Sequence, residues 1–261
     1  MFLAAAGIPS LQTLALVCVG GALGAGGANA INQSLDRDID GRMRRTHGRP
    51  VVMGSISPWQ AIWFGIALNV VAFVIFTTLV NSLAALLTLS ATIFYVFVYT
   101  RGLKRSTPNN IVIGGAAGAI PPMVGWAAVT GGIGLPALYM FAIIFFWTPP
   151  HFWALALLIK DDYANAGIPM LPVVAGVRET KRSIFLYSVL LLALTMMFFT
   201  TRAVGWIYLG GAAALGVGFM WHAWRLMRQP GIARARTTYI YSLAYLGLLF
   251  LIIAIDSVAA R

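Results

Sequence analysis

Eight long apolar runs decide what this chain can fold into. They cover approximately residues 11–31, 59–79, 82–100, 111–130, 135–159, 183–201, 204–226 and 239–258. Each approaches the roughly 20 residues that an α-helix needs to cross the hydrocarbon of a bilayer. The runs are continuous rather than alternating, which excludes barrel strands. The chain is 60% hydrophobic and only 10% charged, where a soluble domain carries about 25% charged residues. A globule of this size could not hide so much apolar surface. The sequence therefore predicts an all-α polytopic membrane protein with eight full transmembrane helices in a single domain over 1–261. It argues against a soluble enzyme, a nucleic-acid-binding domain and a disordered chain. Residues 1–7 read as the stump of a further helix. No basic residue precedes Arg37, which argues against a cleavable signal peptide. Cys18 lies within the first run and reads as a small core residue rather than a reactive thiol.

Charge fixes the expected orientation. The connections at 32–58, 101–110, 160–182 and 227–238 are long and charged, and the others are short. Arg37, Arg42, Arg44, Arg45 and Arg49 fall in the first group and Arg101, Lys104 and Arg105 in the second. Lys160, Arg178, Lys181 and Arg182 form the third, and Arg225, Arg228, Arg234 and Arg236 the fourth. That places sixteen of the eighteen basic residues on one side, with Arg202 and Arg261 as exceptions. By the positive-inside rule this side is cytoplasmic, with both chain ends on the other side.

Topology needs basic residues there but gives no reason for acids. Six of the seven acids share that side, and only Asp256 does not. Asn32, Asp36 and Asp40 stand four apart, so on a helix they share a face. Like charges at that spacing repel by a few tenths of a kcal/mol, a cost that a divalent cation would remove. Mg²⁺ takes oxygen ligands and commonly sits between carboxylates and phosphates. Asp38 points elsewhere, with Arg37 or Arg42 as its expected partner. The arginines of RMRRTHGRP, including Arg45, have the fork geometry that matches phosphate oxygens, and His47 reads as a solvated loop residue.

Two further regions carry polar chemistry. Lys104 and Arg105 would face an anion, and Asn109 and Asn110 are placed to cap a helix. Gly114, Gly115, Gly118 and Pro121-Pro122 interrupt the fourth run. His151 lies within a span beside Pro149-Pro150, and an ionisable group there is a candidate functional residue. Trp147, Phe152 and Trp153 could line an apolar pocket or mark the membrane interface. Asp161 and Asp162 follow at its charged end. His222, between Trp221 and Trp224, reads as an interfacial residue. Together these features suit a diphosphate held at the cytoplasmic face with an apolar tail between helices. Ionising an allylic diphosphate yields a carbocation, and metal and Lys/Arg groups stabilise the leaving diphosphate.

Three stretches carry a resemblance: AGGANAINQSLDRDIDGRMRRTHGRP, YTRGLKRSTPNNIVIGGAAGAIPPMVGW and FFWTPPHFWALALLIKDDYANAGIPMLPVVAG. Over essentially its whole length the chain resembles the UbiA superfamily of intramembrane prenyltransferases, and within it the haem branch. The resemblance implies a helical bundle around a central cavity. It implies transfer of the farnesyl group of farnesyl diphosphate to a vinyl group of protoheme IX with water consumed, giving haem O. It carries Mg²⁺ binding onto Asn32, Asp36 and Asp40, diphosphate contact onto Lys104 and Arg105, and the second acidic region onto Asp162. Catalysis is thereby expected of Asp36, Asp40, Lys104, Asp162 and His151. Substrate binding is expected of Arg37, Arg45, Lys104, Arg105, Trp147, His151 and Trp153. It also implies association with haem A synthase or the assembly of terminal oxidases. Quinone-type members carry a fuller second aspartate motif than the Asp161-Asp162 pair, so a second Mg²⁺ is not assumed, and His151 is a candidate for holding protoheme. Most of the superfamily's first helix is expected to be missing before Met1. The rival acceptors are a quinone precursor or chlorophyllide. A CDP-alcohol phosphotransferase would need a D-G-x2-A-R motif that is absent, and a transporter would show inverted repeats and polar groups near mid-membrane, whereas nearly all acids here sit at one face.

Overall fold

The computed structural model describes residues 1–259, and every described regular element is helical. The elements are α1 (Phe2–Ala5), α2 (Leu11–Leu35), α3 (Arg37–Asp40), α4 (Pro58–Leu79) and α5 (Ser82–Ile93), which continues as a π-helix over Phe94–Leu103. Then come α6 (Asn110–Ala119), α7 (Pro121–Thr130), α8 (Leu135–Leu158), α9 (Lys160–Asn165) and α10 (Leu171–Val174). The last three are α11 (Gly176–Phe198), α12 (Trp206–Arg228) and α13 (Ala235–Ala259).

Local chemistry sets the boundaries. Pro58 occupies the first position of α4, behind a capping box in which the Ser57 hydroxyl accepts from Gln60 N and the Gln60 side chain accepts from Ser57 N. Asn81 caps α5 through Ala84 N at 2.9 Å and also donates from Nδ2 to Ala127 O at 2.8 Å. That single side chain ties the start of one helix to another. Pro121-Pro122 takes the first positions of α7, where a helix needs no N–H donor, and the fourth run divides there into α6 and α7. Pro149-Pro150, by contrast, sits inside α8 without ending it. Asn109 and Asn110 make no side-chain cap to α6, and Asn110 is instead wholly buried.

Among the described residues, seven helices are long and apolar enough to cross a membrane, not the eight expected. The segment expected at 204–226 is helical as α12, but its glycines, tryptophans, His222, Arg225 and Arg228 dilute its apolar character. Arg261 lies outside the described residues. The common end of the charged loops does not depend on that count. Arg44 reaches Asp162 at 3.0 Å, Lys104 reaches Asp36, and Lys181 Nζ donates to Gln229 O at 2.6 Å and Gly231 O at 3.2 Å. These contacts draw all four charged segments to one end of the bundle.

Lipid tails are as apolar as leucine, so helices in a bilayer associate by close packing rather than by expelling water. The α2–α4 crossing shows this. A Cβ on Gly27 would come within 2.6 Å of Gly65 O, and one on Gly65 within 2.5 Å of Gly27 O. The exterior keeps large apolar side chains exposed, including Trp59, Trp63, Phe64 and Phe97. Cys18 belongs to this exterior and not to the core. Helix α2 packs through its glycine face, which turns the opposite face outward.

Candidate functional site

The N-x3-D-x3-D stretch keeps its helical register through a change of element. α2 ends at Leu35, and Asp36 takes a non-helical φ of −99° before α3 begins. Asp36 N still donates to Asn32 O at 2.9 Å and Asp40 N to Asp36 O at 2.8 Å. All three side chains therefore stay on one side, and all are buried: Asn32 is 2%, Asp36 0% and Asp40 2% exposed.

Burying two carboxylates would be prohibitive without partners. Asp36 Oδ2 accepts from Asn32 Nδ2 at 2.6 Å and pairs with Lys104 Nζ. Asp36 Oδ1 lies 3.5 Å from the Arg105 guanidinium and has no hydrogen bond. Asp40 Oδ2 receives Arg49 Nη1 at 2.5 Å, and Thr46 closes the loop by donating to Asp40 O at 3.1 Å. Asp162, at the start of α9, pairs with Arg44. Asp38 is bound by Arg105 through two contacts of 2.7 Å, not by Arg37 or Arg42 as expected. Arg105 is close enough because the second charged loop folds back over α3. Its hydrogen bonds and charge hold the Asp38 carboxyl below the usual carboxylate range. Arg37 and Arg45 are exposed and, among the described residues, form no salt bridge. Burial pushes the Tyr163 hydroxyl up to about 12, with the nearby Arg45 charge opposing the rise.

The π-helix brings the second loop to this cluster. Lys104 N donates to Tyr99 O at 2.8 Å, a five-residue step that widens the turn. Tyr99 packs flat against α6, where a Cβ on Gly114 would fall 2.3 Å from its ring. Thr100, 1% exposed, accepts from Asn32 Nδ2 at 3.2 Å. Both amide hydrogens of Asn32 are thereby used, leaving its Oδ1 as the free acceptor. Asn110 Nδ2 donates to Lys104 O at 3.3 Å. Thr100 was not singled out as a site residue from the sequence, because a π-helix leaves no spacing rule to point at it, and Asn110 was read there only as a helix cap.

Beside the cluster lies an apolar cavity of about 340 Å³, lined among others by Gly21, Gly24, Ala28, Asn29, Tyr95 and Pro121. That is within the range of small-molecule sites. Its lining residue Asn29 stands one turn before Asn32 on α2, so the cavity reaches to within a helical turn of the polar cluster. Trp147, Phe152 and Trp153 do not line it. Trp153 is 3% exposed and meets Tyr187 edge to face, and Phe152 packs on the cluster of Ile39, Met43 and Ile111. These aromatics point away from α2, against α11 and α3. Trp147 and His151 face α13, where His151 Nδ1 lies 2.7 Å from Ser242 Oγ. His151 touches neither a carboxylate nor the Asp36 cluster.

Among the described residues, no three His, Cys, Asp or Glu side chains stand close enough to share an ion. Mg²⁺, however, is commonly held by one or two carboxylates plus substrate phosphates. The buried Asp36 Oδ1 without a hydrogen bond, on the carboxylate that Asn32 holds through Oδ2, fits that smaller demand.

The pattern of the UbiA prenyltransferase family matches residues 1–253. The chain belongs to the UbiA prenyltransferase family. It is 51% identical over 258 residues to a protein of Roseiflexus sp. (strain RS-1) named protoheme IX farnesyltransferase, covering 99% of this chain and 48% of that one. The chain thus spans about half the length of that relative. It is 49% identical over 259 residues to a Gloeobacter violaceus protein of the same name, covering 99% of this chain and 85% of that one. A solved UbiA homologue from Archaeoglobus fulgidus bound to GPP and Mg²⁺ has the same fold, with a TM-score of 0.72 at 19% identity, covering 94% of this chain and 88% of that one.

Proposed function

We propose that this chain transfers the farnesyl group of farnesyl diphosphate to a vinyl group of protoheme IX, giving haem O and diphosphate. The observation that carries the acceptor is the identity of about half of all positions, along almost the whole chain, with relatives named for this activity. The geometry that supports a prenyl donor is the Asn32–Asp36–Lys104 cluster, one helical turn along α2 from an apolar cavity.

The C1–O bond of the donor breaks and both electrons leave with the diphosphate. C1 bonds to one vinyl carbon, and water adds its oxygen to the other and releases a proton. Asn32, Asp36 and Asp40 would hold Mg²⁺, which when bound supplies positive charge to the diphosphate oxygens. Lys104 and Arg105, now on Asp36 and Asp38, are the cations nearest that point and neutralise the leaving group. Arg44 on Asp162 and Arg49 on Asp40 complete a set in which each carboxylate already has a cation to hand over to phosphate. The apolar cavity holds the farnesyl chain and keeps water from the allylic cation. Arg37 and Arg45, exposed at the same end, draw the anionic donor in. The charged end faces the cytoplasm, as its basic residues direct, in a bacterial inner membrane.

The test is a membrane-reconstituted reaction of farnesyl diphosphate, protoheme IX and Mg²⁺, read by mass spectrometry of extracted haem. Haem O formation supports the reading. A folded protein that makes none with protoheme but prenylates a quinone precursor overturns the acceptor.

A further inference from the structure

Along α8, Met140, Ile144, Trp147 and His151 recur at helical spacing and form one stripe. That stripe meets α13. Trp147 Nε1 donates to Ser242 O at 2.8 Å. The His151 ring stacks on Trp147 at 4.2 Å and on Tyr239 at 4.9 Å between centroids. Its Nδ1 lies 2.7 Å from Ser242 Oγ. An imidazole held this way has one orientation.

The proton inventory then fixes its tautomer. Ser242 Oγ lies 2.6 Å from Tyr239 O, and a carbonyl only accepts, so the single hydroxyl proton is committed there. The hydroxyl oxygen must accept from His151, which places the ring proton on Nδ1. Nε2 keeps its lone pair. Among the described residues it has no hydrogen-bond partner, and the His151 side chain is only partly buried. A metal-ligating histidine is built this way, with one ring nitrogen oriented by a hydrogen bond and the other bare.

We propose that His151 Nε2 is the axial ligand to the iron of the porphyrin acceptor. This rests on the acceptor assigned above. A second apolar cavity of about 360 Å³ continues the same seam, lined by Met140, Ile144, Phe250 and Ile253. It shares Val17 and Pro121 with the cavity beside Asn32. Met140 and Ile144 of the His151 stripe line this second cavity, so a porphyrin held by Nε2 would lie along the face of α8 that leads to the compartment for the donor's tail. Imidazole is a common axial ligand of haem iron, and here it fixes the macrocycle rather than touching the reacting carbons.

The experiment titrates the full chain in lipid nanodiscs with ferric protoheme IX and, separately, with metal-free protoporphyrin IX. Wild type should give the absorbance and paramagnetic-resonance signature of a nitrogen axial ligand. His151→Ala should lose that signature and bind the iron porphyrin at least tenfold more weakly, on the order of losses at metal sites. Its affinity for the metal-free porphyrin should not change, and added imidazole should restore the signature. Ser242→Ala keeps the imidazole but frees its proton, and should weaken only iron-porphyrin binding, by about tenfold. It carries the test if His151→Ala does not fold. An unchanged signature in His151→Ala, or equal losses for both porphyrins in either variant, overturns the ligand. If wild type makes haem O but shows no nitrogen ligation, this inference alone fails. If it binds neither porphyrin and makes no haem O, the acceptor assignment fails with it.

Discussion

Lys104 Nζ and Asp36 Oδ2, 68 residues apart in sequence, form an ion pair whose carboxylate is wholly buried. The pair clamps the end of α2 to the end of the π-helix and is the centre of the site. Removing one partner of such a pair leaves an uncompensated buried charge, which costs about 3–5 kcal/mol. Lys104→Met should therefore lower the thermal unfolding midpoint sharply. The double variant with Asp36→Asn should recover much of that loss, because it removes both charges. Equal instability of the single and double variants would contradict the pairing.

Thr100 holds the second amide hydrogen of Asn32. Thr100→Val keeps the volume but leaves that donor unsatisfied, a cost of about 1–3 kcal/mol. It should also raise the Mg²⁺ concentration needed for half-maximal turnover, because Asn32 Oδ1 is no longer held in place. Thr100→Ser should restore both stability and Mg²⁺ response. A Mg²⁺ titration of the three proteins checks this.

Gly27 and Gly65 set the separation of α2 and α4. Gly65→Ala places a Cβ 2.5 Å from a backbone oxygen, which cannot swing aside as a side chain would. Overpacking of this kind costs about 1–3 kcal/mol. Gly21→Ala meets nothing within 4 Å and should be neutral in the same thermal unfolding assay.

Asp38 is held below the ordinary carboxylate range by Arg105. Its folded value is depressed, so its contribution to stability is present above the unfolded pKa and lost as pH falls through the folded one. Its side chain is 52% exposed, so the pair contributes at most about 1 kcal/mol. Asp38→Asn should be slightly less stable than wild type at neutral pH and low salt. The two unfolding curves should converge in acid and in high salt, where the pair is screened.

The sequence spacing of Asn32, Asp36 and Asp40 was enough to place them on one face, because hydrogen bonds from residue i to i+4 survive the break at Asp36. The shared end of the charged loops was legible for the same reason that helices cross a bilayer whole. Partner choice was not. Arg105 takes Asp38, Arg49 takes Asp40 and Arg44 takes Asp162 across distances in sequence that no local rule spans. Thr100 was hidden by the π-helix, and Cys18 by the glycine face that turns it outward. The count of eight spans treated α12 as apolar despite its His222, Arg225 and Arg228.

The most direct test of the central claim is haem O production by wild type and by Asp36→Ala, each with and without Mg²⁺, in one reconstituted membrane preparation. The account predicts a farnesylated, hydrated haem only from wild type with Mg²⁺, while both proteins remain folded. Equal haem O from a folded Asp36→Ala would contradict it, since the buried carboxylate would then have no part in holding the diphosphate.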